Sequence, residues 1–358
     1  MVNPYGPDTR GTFSFGIRLG LLFEVQAACL SAICVVGLLV YLGWTAIRTR
    51  RQRGKHALPS HLHVLFVSLL FSDLLHSIGS ILNIPWIRDS GVLEGPLCTA
   101  QGIFRQMGDT GVALEILAIA VFTWGVIVRG WSSPSLKTTF VIVGLIWIFV
   151  ILITLVSYGV HKAAGQVYYG NTRYWCWIRS PYSLPDGIAL QYGWFWLTAA
   201  INLVLYISVA VTLLKSKRRC RNAQMPEGQR SLQKIAFQMT WYPIIYLITI
   251  TPMSITRLWI FTNPEHPPPF AATALAAVLL TLSGVFNAVL FSITRPTLIP
   301  QKGHDHDPTV GGLRSIYTLE FCQRPDEDQR SSKIPPSPET PCHGEGTSKG
   351  GGTDETYV

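Results

Sequence analysis

Charged residues are scarce in this sequence. Only 14% of its 358 residues are Asp, Glu, Lys or Arg, against about 25% in an ordinary soluble chain. The shortage is uneven: long apolar runs carry almost none, and the charge gathers between them, as in proteins that partition polarity across a bilayer. That excludes an ordinary water-soluble domain. The net charge of +9 sits in short stretches between apolar runs, which fits an anionic membrane surface and loop partners rather than nucleic acid. Met1–Arg18 lacks the basic start, apolar core and cleavage site of a secretory leader, so the first apolar run is expected to direct insertion itself. No internal repeat is visible, which argues against transporters built from duplicated halves. The last apolar run, Ala271–Ile293, has no lysine, which excludes a retinal Schiff base there.

Seven runs are long enough to cross a hydrocarbon core, which needs about 20 mostly apolar residues. They are Leu19–Ile47, Val64–Ile84, Thr99–Val128, Thr139–Val160, Ile188–Leu214, Ile235–Phe261 and Ala271–Ile293. The expected fold is an all-α membrane protein, a seven-transmembrane helix bundle spanning 19–296. After Arg295 the chain is rich in Pro, Gly, Ser, Asp and Lys, so 297–358 is expected to be a disordered cytoplasmic tail. Fourteen Lys and Arg lie in one set of loops: Arg48, Arg50, Arg51, Arg53 and Lys55; Arg129 and Lys137; Lys215, Lys217, Arg218, Arg219, Arg221, Arg230 and Lys234. The alternate loops hold four: Arg88, Lys162, Arg173 and Arg179. The positive-inside rule then puts the basic loops and the tail in the cytoplasm and residues 1–18 outside, at the plasma membrane.

That orientation sorts the seven cysteines. Cys29 and Cys34 lie in the first span and read as packing residues. Cys220, Cys322 and Cys342 are cytoplasmic and should stay reduced; Cys220, beside the basic cluster, is also a palmitoylation candidate. Cys98 and Cys176 alone face the oxidising side, and a disulfide between them is expected.

Ionisable residues inside spans are expensive and mark function by default. At about 100° per residue, Asp73, His76, Ser77 and Ser80 share one face of the second span. Gln101, Arg105, Gly108, Asp109, Glu115 and Thr123 share a wedge of the third about 120° wide by the same arithmetic. Arg105 and Asp109 are spaced to pair with each other, which is the alternative to a ligand role. Asp73, Glu115 and Asn287 are expected to form an interior polar network. Pro243 and Pro252 each remove a helical donor from the sixth span, so a hinge is expected there. The loop Tyr174-Trp175-Cys176-Trp177-Ile178 suits either a membrane interface or a lid over an outer pocket.

Several segments together resemble a known family. They are Ser72-Asp73-Leu74, Cys98-Thr99-Ala100-Gln101-Gly102 through Gly108-Asp109, Trp175-Cys176-Trp177-Ile178, Tyr242-Pro243 with Pro252, and Asn287. Over Leu19–Pro296 the chain resembles the fungal G-protein-coupled receptors related to the slime-mould cAMP receptors. The resemblance implies an extracellular small-molecule or peptide ligand and a heterotrimeric G protein on the cytoplasmic loops, with cAMP or nutrient signalling downstream. No cofactor, resident metal or catalysis is expected. The third span ends in Phe122-Thr123-Trp124 rather than Asp-Arg-Tyr, and the seventh reads Asn287-Ala288-Val289-Leu290-Phe291 rather than Asn-Pro-x-x-Tyr. These departures place the chain, on sequence, outside the large rhodopsin-like class.

The expected ligand pocket comprises Gln101, Arg105, Asp109, Trp175, Trp177 and Arg257, and the two arginines suit an anion. Arg48, Arg50, Arg51, Arg129, Lys215, Lys217, Arg218 and Arg219 are expected to face the G protein. A channel or transporter is the alternative, since the polar wedge of the third span suits a path. A zinc hydrolase is a weaker rival. Ser72-x-x-x-His76 with Asp73 resembles part of such a motif, but zinc needs about three ligands at one depth. The sixth and seventh spans supply no His, Asp or Glu, and His61 and His63 start the second span, about two to four turns from His76. The terminal Glu355-Thr356-Tyr357-Val358 matches a PDZ ligand only loosely. The Ser and Thr residues between 331 and 356 read better as regulatory phosphorylation sites.

Overall fold

The computed structural model describes residues 9–53, 61–131, 135–219, 241–263 and 265–294. The tail, Lys55, Arg221, Arg230, Lys234, Cys220, Cys322 and Cys342 lie outside the described residues, as do the side chains of Arg50, Arg53, Lys217, Arg218, Arg219 and Pro243. Among the described residues, seven helical stretches are long and apolar enough to cross a membrane: Phe15–Thr49, His63–Arg88, Pro96–Arg129, Leu136–Ala163, Pro185–Thr212, Ile244–Thr262 and Phe270–Ile293.

The elements are α1 (Phe15–Arg53), α2 (His61–Ile81), the short α3 (Ile84–Arg88), α4 (Pro96–Arg129) and α5 (Leu136–Ala163). A hairpin of β1 (Tyr169–Asn171) and β2 (Cys176–Ile178) follows. A turn at Pro185–Gly187 and a π-helical turn at Ile188–Tyr192 lead into α6 (Gly193–Arg219). Next come α7 (Trp241–Thr262), α8 (Phe270–Thr281) and α9 (Ser283–Thr294). Most spans run a few residues past their expected edges, and two differ in form. The second span continues past Ile84 because Pro85 stands in the first turn of α3, which buries Trp86 against Gln101 of α4. The seventh is two helices meeting at Leu282.

Local chemistry sets the helix ends. Ser135 caps α5, its hydroxyl accepting from the Thr138 amide at 3.1 Å. Gly130, at φ 65°, ends α4 in the left-handed conformation, and the Trp131 amide turns back to the Gly125 carbonyl at 3.0 Å.

The third span, α4, is the axis of the bundle. Buried residues recur along its length, and it packs on α2, α5, α6, α7 and the hairpin. Small residues permit the close approach that lipid-embedded helices need. A Cβ at Gly108 would lie 2.4 Å from the His76 backbone nitrogen, and one at Gly102 would meet the Tyr169 ring at 2.4 Å. By contrast α5 is peripheral, exposing Phe140, Leu145, Ile148, Leu152 and Val156, as a lipid-facing helix does.

The hairpin closes one end of the bundle. Tyr169 pairs with Ile178 and Asn171 with Cys176. Arg173 takes a positive φ of 92° in its turn, where its amide donates to Asn171 Oδ1 at 2.9 Å. Cys176 is disulfide-bonded to Cys98 at the start of α4, with Cα atoms 5.2 Å apart. Gln101, one turn further on, accepts from the Cys176 amide and the Trp86 indole, each at 2.8 Å. Its amide nitrogen donates to Gly79 O at 3.1 Å and Asn83 Oδ1 at 2.7 Å. One side chain thus fastens β2, α2 and α3 to α4. Burial raises the Tyr169 phenol well above its ordinary pKa, so it stays protonated and donates to Gln106 at 2.6 Å. Changing Cys98 or Cys176 to Ser is expected to cost about 2–4 kcal/mol and to lower surface expression. The double change should be little worse than either single one. Wild-type surface levels in both single variants, with free thiols found by mass spectrometry, would contradict this.

Candidate functional site

Beneath the hairpin, side chains from nearly every span converge on a buried polar core. Arg105 on α4 pairs with Glu24 on α1 and donates to Ser80 on α2 at 3.0 Å. Both charges are buried, Glu24 at 1% and Arg105 at 5% exposure. One turn deeper, His76 Nδ1 faces Asp109 Oδ1 at 2.5 Å. The second Asp109 oxygen accepts from Gln191 at 2.7 Å, and Gln191 in turn accepts from the Trp177 indole at 2.7 Å. His76 Nε2 lies 3.2 Å from the Thr281 hydroxyl at the end of α8. The hairpin, α2, α4, the π-helical turn and α8 are therefore joined by one chain of hydrogen bonds. Arg105 and Asp109, spaced to pair with each other, pair instead with α1 and α2. The neighbouring helices bring Glu24 and His76 into contact with the two side chains.

Deeper again, Asp73 accepts from Ser283 at 2.9 Å and from Asn287 at 2.8 Å, both on α9. Glu115 lies apart from that pair. It is wholly buried, accepts from Ser68 at 2.5 Å, and Ser68 also accepts from the Trp147 indole of α5 at 2.8 Å. The expected network of Asp73, Glu115 and Asn287 is thus two clusters, because Glu115 bonds to Ser68 on α2, beside Trp147 of α5, while Asp73 bonds to Ser283 and Asn287 of α9.

Small cavities line up along this polar path. An outer one of about 190 Å³ is lined by hairpin residues, Arg257, Phe261, Pro267 and Pro268. An inner one of about 20 Å³ is lined by Arg105, Asp109, Trp175, Trp177, Gln191, Tyr192 and Arg257, room for about one water. A third of about 10 Å³ lies between His76, Asp109, Tyr246, Ser283 and Asn287. Arg257 and Trp177 border both of the upper two. Five of the six expected pocket residues come together here. The sixth, Gln101, does not line the cavity: its four hydrogen bonds hold the hairpin down.

Residues not singled out in the sequence include Glu24, Gln191 and Tyr192. Glu24 is the single charged residue of Leu19–Ile47, a signal that was present. Gln191 and Tyr192 carry none beyond ordinary polarity. Pro252 lies inside α7. At the far end of the bundle, Arg48, Arg51, Arg129 and Lys215 are exposed.

The family model described as 7 transmembrane receptor (rhodopsin family) matches residues 41–291. The chain belongs to that family, and is a multi-pass seven-helix receptor. The crystal structure of squid rhodopsin is similar in fold, with a TM-score of 0.59 at 13% identity over 90% of this chain and 93% of that one. No curated protein matches the chain in sequence. Membership corrects the expectation that the chain falls outside the rhodopsin-like class. The match runs through both altered motifs, at Phe122-Thr123-Trp124 and at Asn287-Ala288. The likeness to squid rhodopsin concerns fold alone, and Ala271–Ile293 still has no lysine.

Proposed function

We propose that this receptor binds an extracellular ligand beneath the hairpin and activates a heterotrimeric G protein at its basic end. The carrying observation is the run of buried polar side chains and small cavities from Trp177 down to Asn287. A ligand touching Arg257, Trp175 or Trp177 would bear on α4, α7 and α8 together. Arg48, Arg51, Arg129 and Lys215, exposed at the opposite end, supply the positive surface for the partner, with Arg50, Lys217, Arg218 and Arg219 beside them in sequence. Pro252 gives α7 a missing donor at which to hinge. The Cys98-x-x-Gln101-Gly102 and Trp175-Cys176-Trp177 segments support a finer placement among fungal receptors related to the slime-mould cAMP receptors, feeding cAMP or nutrient signalling. Residues 1–18 form the extracellular N-terminus, 19–296 the receptor domain and 297–358 the cytoplasmic tail. The test is nucleotide exchange by a panel of purified Gα subunits with the receptor in nanodiscs. Stimulation of none of them would refute coupling.

Topology is separately testable. Fourteen basic residues against four predict that, on intact cells at the plasma membrane, an N-terminal tag is labelled and a C-terminal tag is not. Labelling of the C-terminal tag alone would invert the orientation, and labelling of both would remove a span.

A further inference from the structure

We propose that the ligand is a small aromatic carboxylate and that Arg257 reads its charge; this rests on the receptor reading above. The two arginines under the hairpin are not equivalent. Arg105 is neutralised by Glu24. Arg257 is 6% exposed, its Nε has no hydrogen-bond partner, and no described carboxylate lies within ion-pair distance of it. The nearby acids are already engaged, Asp109 by His76 and Gln191 and Asp73 by Ser283 and Asn287. Arg257 has the Tyr192 hydroxyl as a neutral contact. Otherwise ring faces hold its charge, with Cζ 4.9 Å from the Trp175 centroid and 5.3 Å from that of Trp177.

A second guanidinium, that of Arg105, approaches the same Trp175 ring at 4.7 Å. A buried cation that makes no ion pair is the place where an entering anion gains most. A carboxylate matches the guanidinium fork in a way that a spherical anion does not. The position of Arg257 makes it reachable, because it borders the outer cavity as well as the inner one. The body of the ligand is set by the other walls of that outer cavity. Tyr174, Trp177, Phe261, Pro267 and Pro268 present flat faces that suit an aromatic ring, beside polar lining residues that include Arg173 near the turn of the hairpin. About 190 Å³ accommodates a one- or two-ring acid and not a folded peptide.

The probes are benzoate and indole-3-acetate, with benzamide and indole-3-acetamide as neutral counterparts. Receptor in nanodiscs of zwitterionic lipid is followed by its thermal unfolding midpoint and by saturation-transfer NMR. The acids should raise the midpoint and show saturation transfer, and the amides should do neither. Arg257→Gln should weaken acid binding at least tenfold, and Arg257→Lys should retain part of it. Without acid, Arg257→Gln should melt no lower than wild type, since it removes an uncompensated charge. A marked fall would mean that Arg257 has a structural partner and would overturn the proposal. Equal binding of acids and amides, or binding of neither, would also overturn it. So would an Arg257-dependent rise produced by phosphatidylglycerol in the disc that the acids fail to displace, which would make the anion a lipid headgroup. Exchange on Gα in the same discs tests the receptor reading by itself. Exchange without acid binding rejects only the carboxylate, and acid binding without exchange rejects only the coupling.

Discussion

Glu24→Ala is expected to destabilise the receptor by about 3–5 kcal/mol, the usual penalty for stripping one partner from a buried ion pair. The variant should melt far below wild type in nanodiscs and reach the cell surface poorly. Its physical basis is the burial of both groups, at 1% and 5% exposure, inside a span. Arg105 would keep Ser80 and the Trp175 ring but lose its counter-charge. The double variant Glu24→Leu, Arg105→Met should recover most of the loss, because apolar residues of similar volume often replace a buried pair at little cost. A double-mutant cycle isolates the coupling from the separate effects of each truncation. If Glu24→Ala melts with wild type, the pair holds nothing together and α1 is anchored by its apolar contacts alone.

The fold was largely legible because its signal is long-range in composition but local in rule. Seven runs of about 20 apolar residues define seven helices whatever their partners are. The polar faces were legible for the same reason: helical periodicity alone puts Asp73, His76, Ser77 and Ser80 together, and all four are buried. What periodicity cannot supply is which face meets which. Arg105 and Asp109 looked self-sufficient at four residues' spacing, yet their partners come from 81 and 33 residues away. Gln101 shared the wedge of the pocket residues but points to the hairpin, a matter of one turn in depth that no wheel resolves. The break at Leu282 has no proline to announce it. The family itself was obscured by two short motifs, Phe122-Thr123-Trp124 and Asn287-Ala288, that depart from the rhodopsin pattern, although both lie within the matched residues 41–291.

Asp73→Ala is expected to lower basal nucleotide exchange on Gα at least about tenfold per receptor at the surface, with a much smaller loss of surface level. Asp73 accepts from Ser283 and Asn287, and both donors are on α9, just past the break at Leu282. Hydrogen bonds to a charged group contribute about 1.5–3 kcal/mol each, and about 1.4 kcal/mol moves an equilibrium tenfold. Two such bonds are enough to decide where α9 sits relative to α2. They join the helices side by side, and both donors, Ser283 and Asn287, border a small cavity that also touches His76 and Asp109. A change beneath the hairpin therefore has this pair of bonds in its path toward the basic end. Asn287→Ala removes one bond and leaves the carboxylate with Ser283 alone, so it should fall between wild type and Asp73→Ala. Asp73→Asn keeps the shape and one acceptor oxygen and should also be intermediate. Exchange normalised to surface receptor, measured by tag labelling on the same cells, separates signalling from folding. If surface level and exchange fall together in every variant, the α2–α9 bonds are scaffolding and the route to the G protein lies elsewhere. If exchange is unchanged in Asp73→Ala, the position of α9 does not govern coupling at all.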